Sequence, residues 1–198
     1  MSRKIKTLLT ALVMLCAVPA FAKDFDWENC WCNYGAGIKE GDMIINVGGG
    51  FDYLGLPYMS QRQYWFIPTS MVDLQFAVKM GQLPFTFGGY AGMGAFGYEY
   101  LDHYDRDLSP VYKSFYCYNL FTGAEAAYHV MLPPENLDVY GIARLGVNVP
   151  LHNESSSYTP TYVDWGTAIG ATWYFGNVFG VNAEIGFPVT KIGVSLKF

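Results

Sequence analysis

Residues 168–186 read "AIGATWYFGNVFGVNAEIG", two alternating runs hinged on a glycine. Ile169, Ala171, Trp173 and Phe175 fall on one side, with Gly170 and Thr172 on the other. After Gly176, Asn177 and Val178 the alternation resumes. Phe179, Val181, Ala183 and Ile185 now oppose Gly180, Asn182, Glu184 and Gly186. A period of two marks β-strands, and a three-residue break containing glycine marks a hairpin. Parity sets Phe175 opposite Phe179, and Tyr174 then covers Gly180 on the second face, as in aromatic rescue of glycine. Neither apolar face carries a charge.

The same period extends both ways. Toward the C-terminus, Ile192, Val194, Leu196 and Phe198 alternate with Lys191, Gly193, Ser195 and Lys197. Toward the N-terminus, five more segments follow the pattern. Met43, Ile45 and Val47 oppose Asn46 and Gly48, and Val72, Leu74, Phe76 and Val78 oppose Asp73, Gln75, Ala77 and Lys79. Phe85, Phe87, Ala91 and Met93 oppose Thr86, Gly88, Tyr90 and Gly92. Tyr116, Tyr118, Leu120, Ala124 and Tyr128 oppose Cys117, Asn119, Gly123, Glu125 and His129. Val139, Ala143, Leu145 and Val147 oppose Asp138, Arg144, Gly146 and Asn148. With the Trp165–Phe175 run that makes eight strands.

Their connections alternate in length. "GQLP", "LPPEN" and "GNV" are short; "GLPYMSQRQYWF", "YEYLDHYDRDLSPVYK" and "PLHNESSSYTPTY" are long and polar. An even number of antiparallel strands, short turns at one end and long loops at the other, is the outer-membrane barrel pattern. A soluble β-sandwich would dress its outer faces with many Lys, Glu and Thr. Here the polar faces are mostly glycine with scattered single charges, which suits a narrow barrel interior. Tyr116 and Trp165 toward the long loops, and Tyr128, Trp173, Phe175 and Phe179 toward the short turns, form two interfacial girdles. The fold expected is all-β: an eight-stranded antiparallel transmembrane β-barrel of outer-membrane type.

Residues 1–22, "MSRKIKTLLTALVMLCAVPAFA", combine Arg3, Lys4 and Lys6, an apolar run and an Ala-Phe-Ala end. That is a secretory signal cleaved after Ala22, with an apolar run too short to span a bilayer. The chain has 12 basic and 17 acidic residues; without residues 1–22, 9 basic remain against 17 acidic over 176 residues. A net charge of −8 argues against nucleic acid as a partner. Residues 23–40 read as a weakly ordered periplasmic tail, with Trp27 and Trp31 on the inner interface or the tail partly in the lumen; 41–198 are the barrel. Cys30, Cys32 and Cys117 leave an odd thiol. The Cys-Trp-Cys triplet forms a local staple or two free thiols, since nothing beside it completes a zinc site.

"IKEGDMIINVGGGF", "GAEAAYHV", "LDVYGIARLGVNV" and "AIGATWYFGNVFGVNAEIGFPVTKIGVSLKF" resemble the small outer-membrane β-barrel proteins of the OmpA/OmpX-like type. The resemblance implies the eight-stranded fold and a place in the cell outer membrane. It implies no catalytic residue, because that broad family shares no active site. A closing strand ending on Phe198 resembles the terminal signal read by the outer-membrane assembly machinery.

Chemistry elsewhere is sparse. "GMGAFG" at 92–97 fits G-x-G-x-x-G, but the dinucleotide motif needs a strand-to-helix turn, and here the glycines fall within a strand. They make room instead for Tyr90, Phe96, Tyr140 and Tyr174 in the lumen. One barrel of this kind, the lipid A deacylase, carries a His/Ser/Glu group on its lipid-facing surface. Here His129 faces inward, while His103, His152, Glu154 and Ser155 lie in loops. Asp102, His103, Asp105 and Asp107 lack EF-hand spacing and read as a solvated loop. No cofactor, metal or catalytic residue is expected. The function expected is structural or surface-interacting, with an extracellular partner met by loop residues Tyr58, Arg62, Tyr64, Trp65 and Tyr104, and the lipid bilayer as its medium. The alternative is a narrow channel or small-ligand carrier. One interior contact is specific enough to name: if Met131 opposes Asp138, Glu125 opposes Arg144 and the two pair.

Overall fold

The computed structural model describes residues 29–35, 37–53, 59–132, 135–152 and 161–198, the side chain of Lys79 excepted. Eight strands form in chain order: β1 Met43–Asp52, β2 Arg62–Met80, β3 Leu83–Tyr104, β4 Pro110–Met131, β5 Leu137–His152, β6 Tyr162–Phe175, β7 Phe179–Phe187 and β8 Val189–Lys197. Each pairs antiparallel with the next, and β8 pairs with β1, so the sheet closes. The export segment 1–22, its cleavage point and residues 23–28 lie outside the described residues.

The alternation read from the sequence is the alternation of the barrel wall. Ile169 and Ile185 are 71% and 73% exposed, whereas Asn182 and Glu184, their neighbours in parity, are 1% and 0% exposed. Apolar outside and polar inside inverts a soluble protein. Such an exterior is stable only against hydrocarbon. Phe175 pairs with Phe179 and Tyr174 with Gly180, the hairpin register expected, and Gly176 takes φ +78 in the turn. The β2–β3 turn is tighter. Met80 pairs with Leu83 around Gly81 at φ +69 and Gln82, a first-position glycine that suits a two-residue hairpin.

Two expectations need correction. Much of the long connections is strand: β2 begins at Arg62, β3 runs to Tyr104, β4 starts at Pro110 and β5 reaches His152. The β2–β3 ladder ends at Arg62–Glu99 and the β4–β5 ladder at Cys117–His152, but β3–β4 pairing continues to Tyr104–Pro110. This hairpin therefore stands beyond its neighbours. At 22 residues each, β3 and β4 have about twice the 9–11 residues that a tilted strand needs to cross hydrocarbon.

The tail is the second correction. Its described part packs against the short-turn end of the barrel. Cys30 and Ile38 are buried, Ile38 beside Ile44 and Ala77. Cys30 O accepts from Met131 N at 3.1 Å, the Tyr34 hydroxyl donates to Phe85 O at 2.5 Å, and that of Tyr128 donates to Trp31 O. Trp31 itself is 53% exposed. Cys32 and Cys117 are free thiols.

Candidate functional site

Parity turns Asp73 of β2, Glu125 of β4, Arg144 of β5, Glu184 of β7 and Lys191 of β8 inward, at one level of the lumen. Glu125 pairs with Arg144 in the ladder, as the sequence register requires. Arg144 Nε donates to Glu125 Oε2 at 2.9 Å. The same guanidinium donates from a terminal nitrogen to Glu184 Oε2 at 2.8 Å and stands 4.0 Å from Asp73 Oδ2. Lys191 Nζ bridges Asp73 Oδ2 and, at 3.1 Å, Glu184 Oε1. The remaining carboxylate oxygens take neutral donors: Gln75 Nε2 on Glu125 at 2.9 Å, and Asn46 Nδ2 on Asp73 at 2.5 Å. The Tyr140 hydroxyl donates to Glu184 at 3.0 Å. A buried ion cluster persists only when its charges are paired and its lone pairs met. Sequence reasoning paired Glu125 with Arg144 and put Asp73 and Glu184 on inward faces, but gave Lys191 no role. The signal existed: Glu184 and Lys191 are direct cross-strand partners with inward parity.

Other layers seal the cluster on both sides. Toward the long connections, Met71, Tyr90, Phe121 and Val189 pack as a buried apolar group. Toward the short turns, His129 Nδ1 lies 3.0 Å from the Asp138 carboxylate, and His129 Nε2 lies 3.0 Å from Thr86 Oγ. Hydroxyl, imidazole and carboxylate in series have the connectivity of an acyl-transfer triad. Here Thr86 is 0% exposed and donates its hydroxyl to Gln75 Oε1 at 2.7 Å. The hydroxyl is thus sealed from solvent and directed to Gln75 and not to His129. Tyr34 of the tail lies next, its ring 5.9 Å from that of His129. Beside the tail, an open cavity of about 1050 Å³ is lined by Tyr34, Lys39, Asp42, Asn136 and Lys197 among others.

Lumen glycines make room for aromatic rings: Tyr140 and Tyr90 among those expected, and Phe121, which was not. A Cβ at Gly170 would fall inside the Tyr140 ring, one at Gly92 inside Phe121, and one at Gly146 would meet the Tyr90 hydroxyl. Gly92 and Gly94 of the nucleotide-like run 92–97 thus lie on the inner face of β3, while Met93 between them faces outward, 59% exposed.

Proposed loop anchors are placed on strands. Arg62 reaches Glu99 at 3.4 Å and lies 4.2 Å over the Tyr112 ring; Trp65 packs on Tyr116 and Tyr64 on Phe66. Tyr104 is 60% exposed near the tip of the projecting hairpin. Asp102 binds His103 at 2.8 Å and Lys113 at 3.0 Å, which holds its carboxyl below the usual range, hydrogen bonds from His103 and Lys113 being the main causes. Asp105 accepts from Arg106 N. His152 ends β5 with its ring on Phe115. Tyr58, Glu154 and Ser155 lie outside the described residues.

No family model and no curated protein matches this chain. Among solved structures, similarity extends to a de novo designed transmembrane β-barrel, at 13% identity and a TM-score of 0.48, covering 81% of this chain and 98% of that one. It extends also to Ail, the attachment invasion locus protein of Yersinia pestis, crystallised with the heparin analogue sucrose octasulfate. That match has 10% identity and a TM-score of 0.42, over 81% of this chain and all of the other. Ail in a phospholipid bilayer nanodisc gives 12% identity and a TM-score of 0.39, over 80% and 100%.

Proposed function

We propose that this chain is an outer-membrane β-barrel protein with a structural or surface-interaction role and no catalytic site, exported with cleavage after Ala22. One observation carries the reading. The lumen is filled by an apolar layer, a paired ion cluster and the His129 layer in series, while the β3–β4 hairpin projects past its neighbours. A filled eight-stranded barrel is a scaffold, and what it presents is the hairpin with Leu101, Tyr104 and Tyr112 exposed. Exposed aromatics are favoured anchors for a partner, with Arg62, Tyr64 and Trp65 at the hairpin's base. The sealed position of Thr86 and His129 supports a non-enzymatic role. Phe198, exposed at the short-turn end, is where the assembly machinery would engage the chain.

Planar-bilayer recording with the purified protein tests the reading. Current without unitary steps above background is expected. Resolved steps would favour the channel or carrier alternative and would require the Arg144 layer to open.

A further inference from the structure

At the apolar layer, the lumen holds a cavity of about 10 Å³, lined by that layer together with Asp52, Asn148, Asp164 and Arg144. Such a volume holds one body of water's size. Its polar walls are unbalanced. Asn148 is 2% exposed, and its Oδ1 has no hydrogen-bond partner, a costly condition for a buried acceptor. Asp164 is 8% exposed and has no ion-pair partner among the described residues. Arg144 reaches the same cavity, but its guanidinium hydrogen bonds go to Glu125 and Glu184 and not to Asp164 or Asn148.

The three oxygen-bearing residues come from three strands. Asp52 ends β1 opposite Val189, Asn148 lies on β5 opposite Tyr162, and Asp164 lies on β6 opposite Gly146. All are inward by parity. An orphaned amide oxygen calls for a donor or a cation, and two carboxylates at the same cavity favour the cation. We propose that Asp52, Asp164 and Asn148 Oδ1 hold a single hard, oxygen-liganded cation of calcium's class. Carboxylate and amide oxygens select hard ions, and the absence of nitrogen or sulfur among these three disfavours soft ones. Magnesium demands near-ideal octahedral geometry, which two carboxylates and one amide from three different strands do not impose. Calcium tolerates irregular shells of about six to eight oxygens, so oxygens from these residues completed by water suffice. Bound there, the ion ties β1, β5 and β6 together and stabilises the folded state by mass action.

Terbium(III) alone, added to the folded full chain in detergent, reports this site, because Tyr90 in the cavity wall sensitises its emission. Saturable one-to-one emission, displaced by calcium, is expected. Asp164→Asn should weaken it at least about tenfold, since ligand charge count sets such affinities, and Asn148→Asp should tighten it. Combined Asp102→Asn, Asp105→Asn and Asp107→Asn should leave it unchanged, removing the outer hairpin as its source. Absence of saturable emission, which would mean the cavity holds only water, overturns the proposal. So does emission that survives Asp164→Asn or disappears with the hairpin variant. Should Asp164→Asn fail to fold, judged by heat-modifiable gel mobility, Asn148→Asp decides alone: unchanged affinity refutes the site.

Discussion

Arg144 touches Glu125 through Nε and Glu184 through a terminal nitrogen, so its loss strands two buried carboxylates at once. Glu125→Gln keeps an acceptor for Arg144 and removes one charge, and is the milder change. Urea unfolding in lipid should show Arg144→Gln costing about 3–5 kcal/mol, less where lumen water relieves the carboxylates. Glu125→Gln should cost less, and the double mutant should reveal a coupling of roughly 0.5–3 kcal/mol. Coupling near zero would mean that Glu184 alone holds Arg144. This pair was legible in the sequence because one short turn sets Met131 against Asp138, and counting back six rungs sets Glu125 against Arg144. The Arg144–Glu184 and Lys191–Asp73 contacts were not legible. The first joins β5 to β7, and the second spans from β8 to β2 across β1, so both depend on the curvature of the closed wall rather than on any one ladder. Asn46, Gln75 and Thr86 were unreadable as donors for a related reason. Parity gives the direction of a side chain but not which of several neighbours across the lumen it reaches.

At the scale of elements, the eight strands were legible wherever one face meets hydrocarbon and the other the lumen. Beyond that level both faces of β3 and β4 are wet. "YEYLDHY" consequently loses its period of two and reads as loop, although it is paired strand. Register shifts between Arg62 and Trp65 and between Ile67 and Ser70 broke the pattern in β2 in the same way. The turns behaved more simply. Gly176→Ala forces a side chain into φ +78 and should cost about 1–2 kcal/mol. Gly141→Ala has open space and no positive φ, and should be neutral or stabilise by up to about 1 kcal/mol. Thermal melts in one detergent separate the two. The tail gives a pH prediction. Burial, and then the charge of Glu40, push the Tyr34 hydroxyl from 10.0 up to about 12, so docking favours the neutral phenol. Its contribution is complete below pH 10 and fades as pH climbs through about 12. Limited proteolysis of residues 29–40 should accelerate across that window. In Tyr34→Phe the rate should already be raised at neutral pH and should lack this step.

For the whole molecule, the decisive contact is the one between its ends. Met43 N donates to Phe198 O, and Phe198 N to Met43 O, both at 2.9 Å, and β1 and β8 pair from Ile44–Lys197 to Asp52–Val189. Every other ladder joins strands adjacent in sequence, so this seam closes last in loop length and carries the largest entropic cost of closure. An open edge in hydrocarbon would leave a row of peptide groups unpaired, each costing several kcal/mol, and this makes closure cooperative. Within the seam Gly48 pairs with Gly193, and the inward positions of both are filled by neighbouring backbone. A Cβ at Gly193 would run into the carbonyl of Val47 and the Cα of Gly48, neither of which can rotate away. Gly193→Val should therefore spread β1 from β8 and cost about 1–3 kcal/mol or more as an overpacked contact. Because the affected ladder closes the barrel, the loss should appear as a lower folded yield in the heat-modifiable gel shift and not as local fraying. Ile192→Val, one residue away and 66% exposed toward the lipid, changes the same strand without touching β1 backbone and should fold like the parent. If Gly193→Val closes with parental yield and melting, β8 must be able to slide on β1, and the register of the seam is softer than its glycine pair requires.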